Sequence, residues 1–318
     1  MTHFAGLGQF TRLVTLGAVI GAGGAAEAQT MPREAPSTQR ASSQEVGRAG
    51  PPKLDQRHAL LYEGSISDGV VNVYDLSRFG FPRVQQISSG VSQVCGLAID
   101  SNATLYVCNL GTNTISVYPF GAQTPSSVLA DSARRPATVA VAPNGTVFVG
   151  CGWTSSPAVD EYLPGATSPS FVITDPLIVQ PANMAFDSSG DAFIGDAITG
   201  FNELPSGSTQ PTSLGLQGLQ GVSGVALDEA SARLYVTSVR GRRPFMNVYA
   251  LGQQAPLYHY DVDDAEQFVI GSGKFDYLFL PDASSSTTTI YRLNAKQPFA
   301  TLLLTNDTVG VAFKPSQP

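Results

Sequence analysis

Residues 105–118 read LYVCNLGTNTISVY: an apolar run that breaks at Cys108-Asn109, a Gly-Thr-Asn-Thr loop, and a second run of alternating Ile115, Val117 and Tyr118. This is the pattern of two antiparallel strands and a tight connection. The same arrangement recurs as LYEGSISDGVVNVY (61–74), VFVGCGWTSSPAVDEY (147–162), AFIGDAITGFNEL (192–204), LYVTSVRGRRPFMNVY (234–249) and LFLPDASSSTTTIY (278–291). The closing residues Tyr74, Tyr118, Tyr162, Leu204, Tyr249 and Tyr291 are 44, 44, 42, 45 and 42 residues apart. A fixed period of this length is the mark of a repeat architecture.

A second motif precedes the hairpins: CGLAID (95–100), ATVAVA (137–142), ANMAFD (182–187) and SGVALD (223–228), with looser forms EQFVIG (266–271) and VGVAFK (309–314). Its small and apolar residues suit an inner strand packed close to its neighbours. Turns such as Asn144-Gly145, where both positions tolerate positive φ, lead into the next strand. With a weaker outer strand such as SSVLA (126–130), each period supplies four strands, the blade of a β-propeller. The sequence therefore predicts an all-β fold, a six-bladed propeller of four-stranded blades. The first unit lacks an inner strand, whereas TVGVAF (308–313) has no hairpin after it. The C-terminal strand is expected to pair into the first blade, closing the ring and removing its exposed edges.

Composition agrees. Charged residues are only 14% of the 318, Gly and Pro number 32 and 22, and no helical period is sustained. Residues 1–28 read as a signal peptide: Arg12, the apolar run Leu13 to Ala26, then Ala26-Glu27-Ala28 before a cleavage point. The run is shorter than the roughly 20 residues of a membrane span. Residues 29–57 are Pro-, Ser-, Gln- and Arg-rich and read as a disordered linker, leaving 58–318 as the propeller. An extracytoplasmic location, periplasmic or secreted, follows as the expectation.

From His58 onward 12 Lys/Arg face 21 Asp/Glu, so nucleic acid is not an expected partner, and a monomer without an integral membrane span is expected. Three cysteines, 95, 108 and 151, allow at most one disulfide and leave at least one thiol as a buried apolar residue.

The stretch GLAIDSNATLYVCNLGTNTISVYPFG (96–121) resembles an NHL-type repeat, and the likeness extends over nearly all of 59–318. That resemblance implies a propeller and leaves the task open, because the fold hosts enzymes, sensors and scaffolds. Propeller ligands usually meet the face built by the loops after the second strands and the approaches to the inner strands. The residues expected there are Asn109, Trp153, Asp196, Arg240, Arg242, Arg243, Asp264 and Asp282. Trp153 could stack on a sugar ring. Arg240, Arg242 and Arg243 suit phosphate, sulfate or carboxylate groups. The run DVDDAE (261–266) offers oxygen ligands in an incomplete calcium-loop spacing.

The chain is also similar to six-bladed propellers of the gluconolactonase class, which hold one divalent cation at the channel mouth. That likeness implies a calcium or zinc site in which Asn183, Glu266 and Asp307 occupy comparable places. Cys95, Ala137 and the Thr308-Val309 pair depart from that family's ligand positions. Two histidines follow the signal segment, His58 and His259, too few for a His-based zinc site and poorly placed for a Ser-His-Asp set. No dinucleotide or phosphate-loop fingerprint occurs. The expected function is a non-catalytic module that binds a protein, a small molecule or a glycan without a cofactor; the alternative is a metal-dependent, lactonase-like hydrolase.

Overall fold

The computed structural model describes residues 54–316 apart from 131–132, 153, 241–242, 263–266, 272–276, 283–284, 294–297 and 304–306. Residues 1–28, expected to be a signal peptide, and most of 29–57, the expected linker, lie outside the described residues.

Six four-stranded antiparallel sheets form a six-bladed propeller. Blade one contains β1 (Leu60–Ser65), β2 (Val70–Asp75) and β3 (Arg83–Ile87). Blade two contains β4 (Val94–Ile99), β5 (Leu105–Asn109), β6 (Thr114–Tyr118) and β7 (Ser127–Ala130). Blade three contains β8 (Pro136–Val141), β9 (Val147–Cys151), β10 (Ala158–Tyr162) and β11 (Phe171–Ile173). Blade four contains β12 (Pro181–Phe186), β13 (Ala192–Asp196), β14 (Gly200–Leu204) and the two-residue β15 (Thr212–Ser213). Blade five contains β16 (Val222–Asp228), β17 (Arg233–Arg240), β18 (Arg243–Ala250) and β19 (Tyr258–Asp261). Blade six contains β20 (Val269–Gly271), β21 (Tyr277–Asp282), β22 (Thr287–Arg292) and β23 (Pro298–Leu303).

The last strand, β24 (Thr308–Lys314), is the inner strand of blade one, paired from Leu60↔Lys314 to Ser65↔Thr308. The expected closure is thus observed. Lys314, 2% exposed, finishes it by donating through Nζ to the carbonyls of Gln56 (2.5 Å), His58 (3.1 Å) and Pro315 (3.0 Å). Residues 54–57, assigned from sequence to the tether, pack on the domain, with Leu54 against the core of blades one and two. Their composition hid this, because one leucine and backbone carbonyls make the contact.

Strand register explains how blades pack. At or next to the start of each second strand an apolar residue (Leu61, Leu105, Val147, Ala192, Leu234, Leu278) stands opposite the Tyr or Leu at or next to the end of the third strand. This pair packs on the preceding blade's aromatic, as Leu105 and Tyr118 do beside Tyr62. Burial of such residues at about 25 cal/mol per Å² is the main driving force of folding.

At the hub, inner strands approach so closely that small residues face the axis. A Cβ on Gly310 of β24 would lie 3.2 Å from the Cα of Gly96 on β4. Gln267, just before β20, reaches across this gap. Its Nε2 donates to the Leu97 carbonyl (2.7 Å) and its Oε1 accepts from the Leu97 N–H (2.8 Å). One side chain from blade six therefore ties down the inner strand of blade two, passing close to Gly310 of blade one on the way.

Cys95 and Cys108 form a disulfide between β4 and β5, and Cys151 is a free, buried thiol. The pairing follows from register: Cys108 faces Gly96 across the ladder, and Cys95 sits in the bulge beside it. Among the described residues no helix is long and apolar enough to cross a membrane.

Candidate functional site

Asn109 ends β5 at the face expected to carry a ligand. Its backbone address is as expected, but its side chain turns inward and is fully buried. Asn109 Oδ1 accepts from the Ser92 N–H (2.9 Å), while Nδ2 donates to the Gly90 carbonyl (3.1 Å) and to Ser116 Oγ (2.9 Å). The residue clasps the loop that enters its own blade.

The same clasp recurs at the equivalent positions. Asp196, fully buried, accepts from the N–H groups of Val179 (2.8 Å), Gln180 (2.7 Å), Ile198 and Thr199 (both 2.9 Å). Ser238 Oγ accepts from the Gln220 N–H (2.8 Å) and donates to the Gln220 carbonyl (3.0 Å). Asp282, 8% exposed, holds instead the turn between β21 and β22, accepting from the N–H and hydroxyl of Ser285. Loop N–H groups that enter a packed hub need acceptors, and Asn, Asp and Ser supply them locally. The side-chain polar atoms of Asn109, Asp196 and Asp282 thus bond to their own loops.

Blade three lacks an Asn, Asp or Ser at this position. Cys151 stands there and donates its thiol to Asp160 Oδ2 (3.4 Å), and Asp160 pairs with Arg134 (3.2 Å). Asp160 carries no signal in the sequence beyond its place beside Glu161 in the strand AVDEY.

Of the lactonase-like ligand set, Asn183 and Asp307 stand in blades four and one, opposite each other across the ring. Asn183 is 2% exposed, and its Nδ2 has no hydrogen-bond partner. Asp307 accepts from the Ser67 hydroxyl and, at φ +51°, turns its chain into β24. Glu266, Asp264, Arg242 and Trp153 lie outside the described residues, and Arg240 and Arg243 are placed by their backbone alone. Among the described residues no three His, Cys, Asp or Glu side chains form a group able to hold a metal ion.

Two features of this face come from structure. First, β17 and β18 pair as far as Arg240↔Arg243, two residues beyond Ser238, where the other blades' ladders stop. At about 3.3 Å per residue, this hairpin projects roughly 7 Å farther and carries three arginines within four residues at its tip. Second, in adjoining blade four, Ile198 is 66% exposed and Val179 37%. The clasp holds both residues in place, because Asp196 binds their N–H groups.

A buried carboxyl lies elsewhere. Glu63 in β1 stands where the other blades carry Val107, Val149, Ile194, Val236 and Leu280, and it is fully buried. Burial pushes its carboxyl up to about 7, against the opposing pull of Thr308, Tyr74, Asn72 and Arg83. Thr308 donates its hydroxyl to Oε1, so this charge site sits inside the seam that closes the ring.

No family model and no curated protein matches the sequence. Among solved structures, a chain in the crystal structure of a nidogen/laminin complex superposes with a TM-score of 0.67. The match has 16% sequence identity and covers 82% of this chain and all of that one. Identity at that level carries the propeller fold and nothing finer.

Proposed function

We propose that this propeller is an exported, non-catalytic binding module of NHL-like type that engages a protein partner through one face of blades four and five. The observation that carries the reading is the combination found there. Polar side chains at the strand ends are turned inward, while Ile198 and Val179 are exposed beside an overlong hairpin tipped by Arg240, Arg242 and Arg243. Exposed apolar residues in blade four and a hairpin in blade five whose sequence holds three arginines suit a partner with an apolar pocket and carboxylates around it. Export is supported by the Arg12–Ala28 segment and by the Cys95–Cys108 disulfide, a bond that persists in oxidising compartments.

The test uses the chain without residues 1–28 as bait for extracytoplasmic proteins of its source, followed by calorimetry with the purified partner. Ile198→Asp and the triple exchange of Arg240, Arg242 and Arg243 to Glu should each weaken binding at least about tenfold without lowering the melting temperature. Lactone hydrolysis that depends on added calcium or zinc and survives both variants would overturn the reading.

A further inference from the structure

On the opposite face, a cleft of about 380 Å³ opens between blades three and four. Its origin is visible in the register. At five of the six seams, a Leu or Val at or next to the start of the second strand faces a Tyr at or next to the end of the third. Blade four alone has Ala192 and Leu204 at these two positions. The missing side-chain volume faces Phe148 of blade three, the counterpart of Tyr62, Tyr106, Phe193, Tyr235 and Phe279. Phe186 leans over the gap, its ring 4.9 Å from that of Phe148, and part of the space stays open to solvent.

The wall of the cleft carries a carboxylate. Glu161 is paired across the sheet with Phe148 on one side and with Phe171 (55% exposed) on the other. Its side chain makes no hydrogen bond or ion pair among the described residues. No Lys, Arg or His lines the cleft. Three of the rim hydroxyls are already bonded within the protein: Ser188 donates to Glu229, Ser189 to Asp187, and Ser208 to the Gln210 carbonyl. A polyhydroxylated ligand would compete with those bonds, whereas a cation would meet an unpaired carboxylate. The volume lies within the usual range for small-molecule sites.

We propose that this cleft binds an organic cation, an ammonium group on an apolar body, with Glu161 as counter-ion and Phe148 and Phe186 as the apolar floor. Burial holds the Glu161 carboxyl above its ordinary value, and a cation bound beside it would favour the ionised form and draw it back down. Aromatic rings beside a carboxylate favour such ligands through burial of the body and attraction of the charge.

Calorimetric titration of the mature chain with 2-phenylethylamine and with its neutral counterpart 2-phenylethanol tests the proposal. The amine should bind saturably with a Kd of about 1 mM or tighter, and the alcohol at least about tenfold more weakly. Glu161→Gln should weaken the amine about tenfold and erase the preference. Ala192→Leu with Leu204→Tyr, which restores the residues of the other seams, should abolish binding while the melting temperature holds or rises. Equal binding of alcohol and amine, no saturable binding of the amine, or an amine affinity unchanged in Glu161→Gln would overturn the proposal. The last variant changes a partly exposed side chain, so its outcome stands even if the double exchange misfolds.

Discussion

Glu63 is the residue whose environment departs farthest from what its position in the repeat demands. The unfolded chain titrates this group near 4.5 and the folded chain at about 7, so between those values the folded form holds more protons. Stability from this group is fully present below about pH 4.5, falls as pH rises to about 7, and is constant above that. At about 1.4 kcal/mol per pH unit, the total is about 3 kcal/mol as an upper bound. Glu63→Gln, which mimics the protonated form, should exceed the wild type by about 3 kcal/mol at pH 8 and by under about 1 kcal/mol at pH 5 in urea unfolding. An equal difference at both pH values would remove the carboxyl as the cause. Glu63 was visible in the sequence as the one charge in LLYEGS, but its burial was not, because only the pairing of β1 with a strand some 250 residues away encloses it. Asn109 shows the converse. Asn, Asp and Ser serve loop clasps and ligand sites alike, so residue type gave the address without the direction of the side chain.

Between elements, packing is set by glycines whose role no local pattern reveals. A Cβ on Gly195 of β13 would come within 2.5 Å of Val222 Cγ1 on β16 of the next blade, far inside contact distance. Gly195→Ala should cost about 1–3 kcal/mol, and Val222→Ala in the same chain should recover part of it, giving a measurable coupling in a double-mutant cycle. Additive losses would show that the two strands do not meet as described. The cysteines allow a second check on the elements. With Cys95 and Cys108 bonded and Cys151 buried, a thiol reagent should find none in the native protein and one after denaturation without reductant. Three thiols in the unreduced, denatured chain would remove the bond between β4 and β5. The strands themselves were legible, since the hairpin and inner-strand motifs recur at a near-constant period. The broken seam at Ala192 and Leu204 was half legible: Leu204 stood out among five tyrosines, but Ala192 gained meaning only once register aligned it with Leu105 and Leu234.

For the molecule as a whole, closure rests on one strand. Removing the last ten residues takes away almost all of β24, the cap at Lys314 and the inner edge of blade one. The shortened chain should lose its cooperative melting transition and elute as aggregate, since β1 would present a free edge to its neighbours. A monomer with an unchanged melting temperature would show that the ring does not depend on this seam. The same arrangement also orders events in time. Thr308 meets Glu63 across 245 residues, so the first sheet to leave the ribosome is the last that can be finished. Contacts between such distant parts of a chain form slowly, because their loop entropy must be overcome before they return any energy. Blades two to six can assemble as the chain lengthens, while the opening strands wait for its final segment. Every completed ring thereby contains both β1 and β24, and a chain cut short before β24 announces itself by an exposed edge.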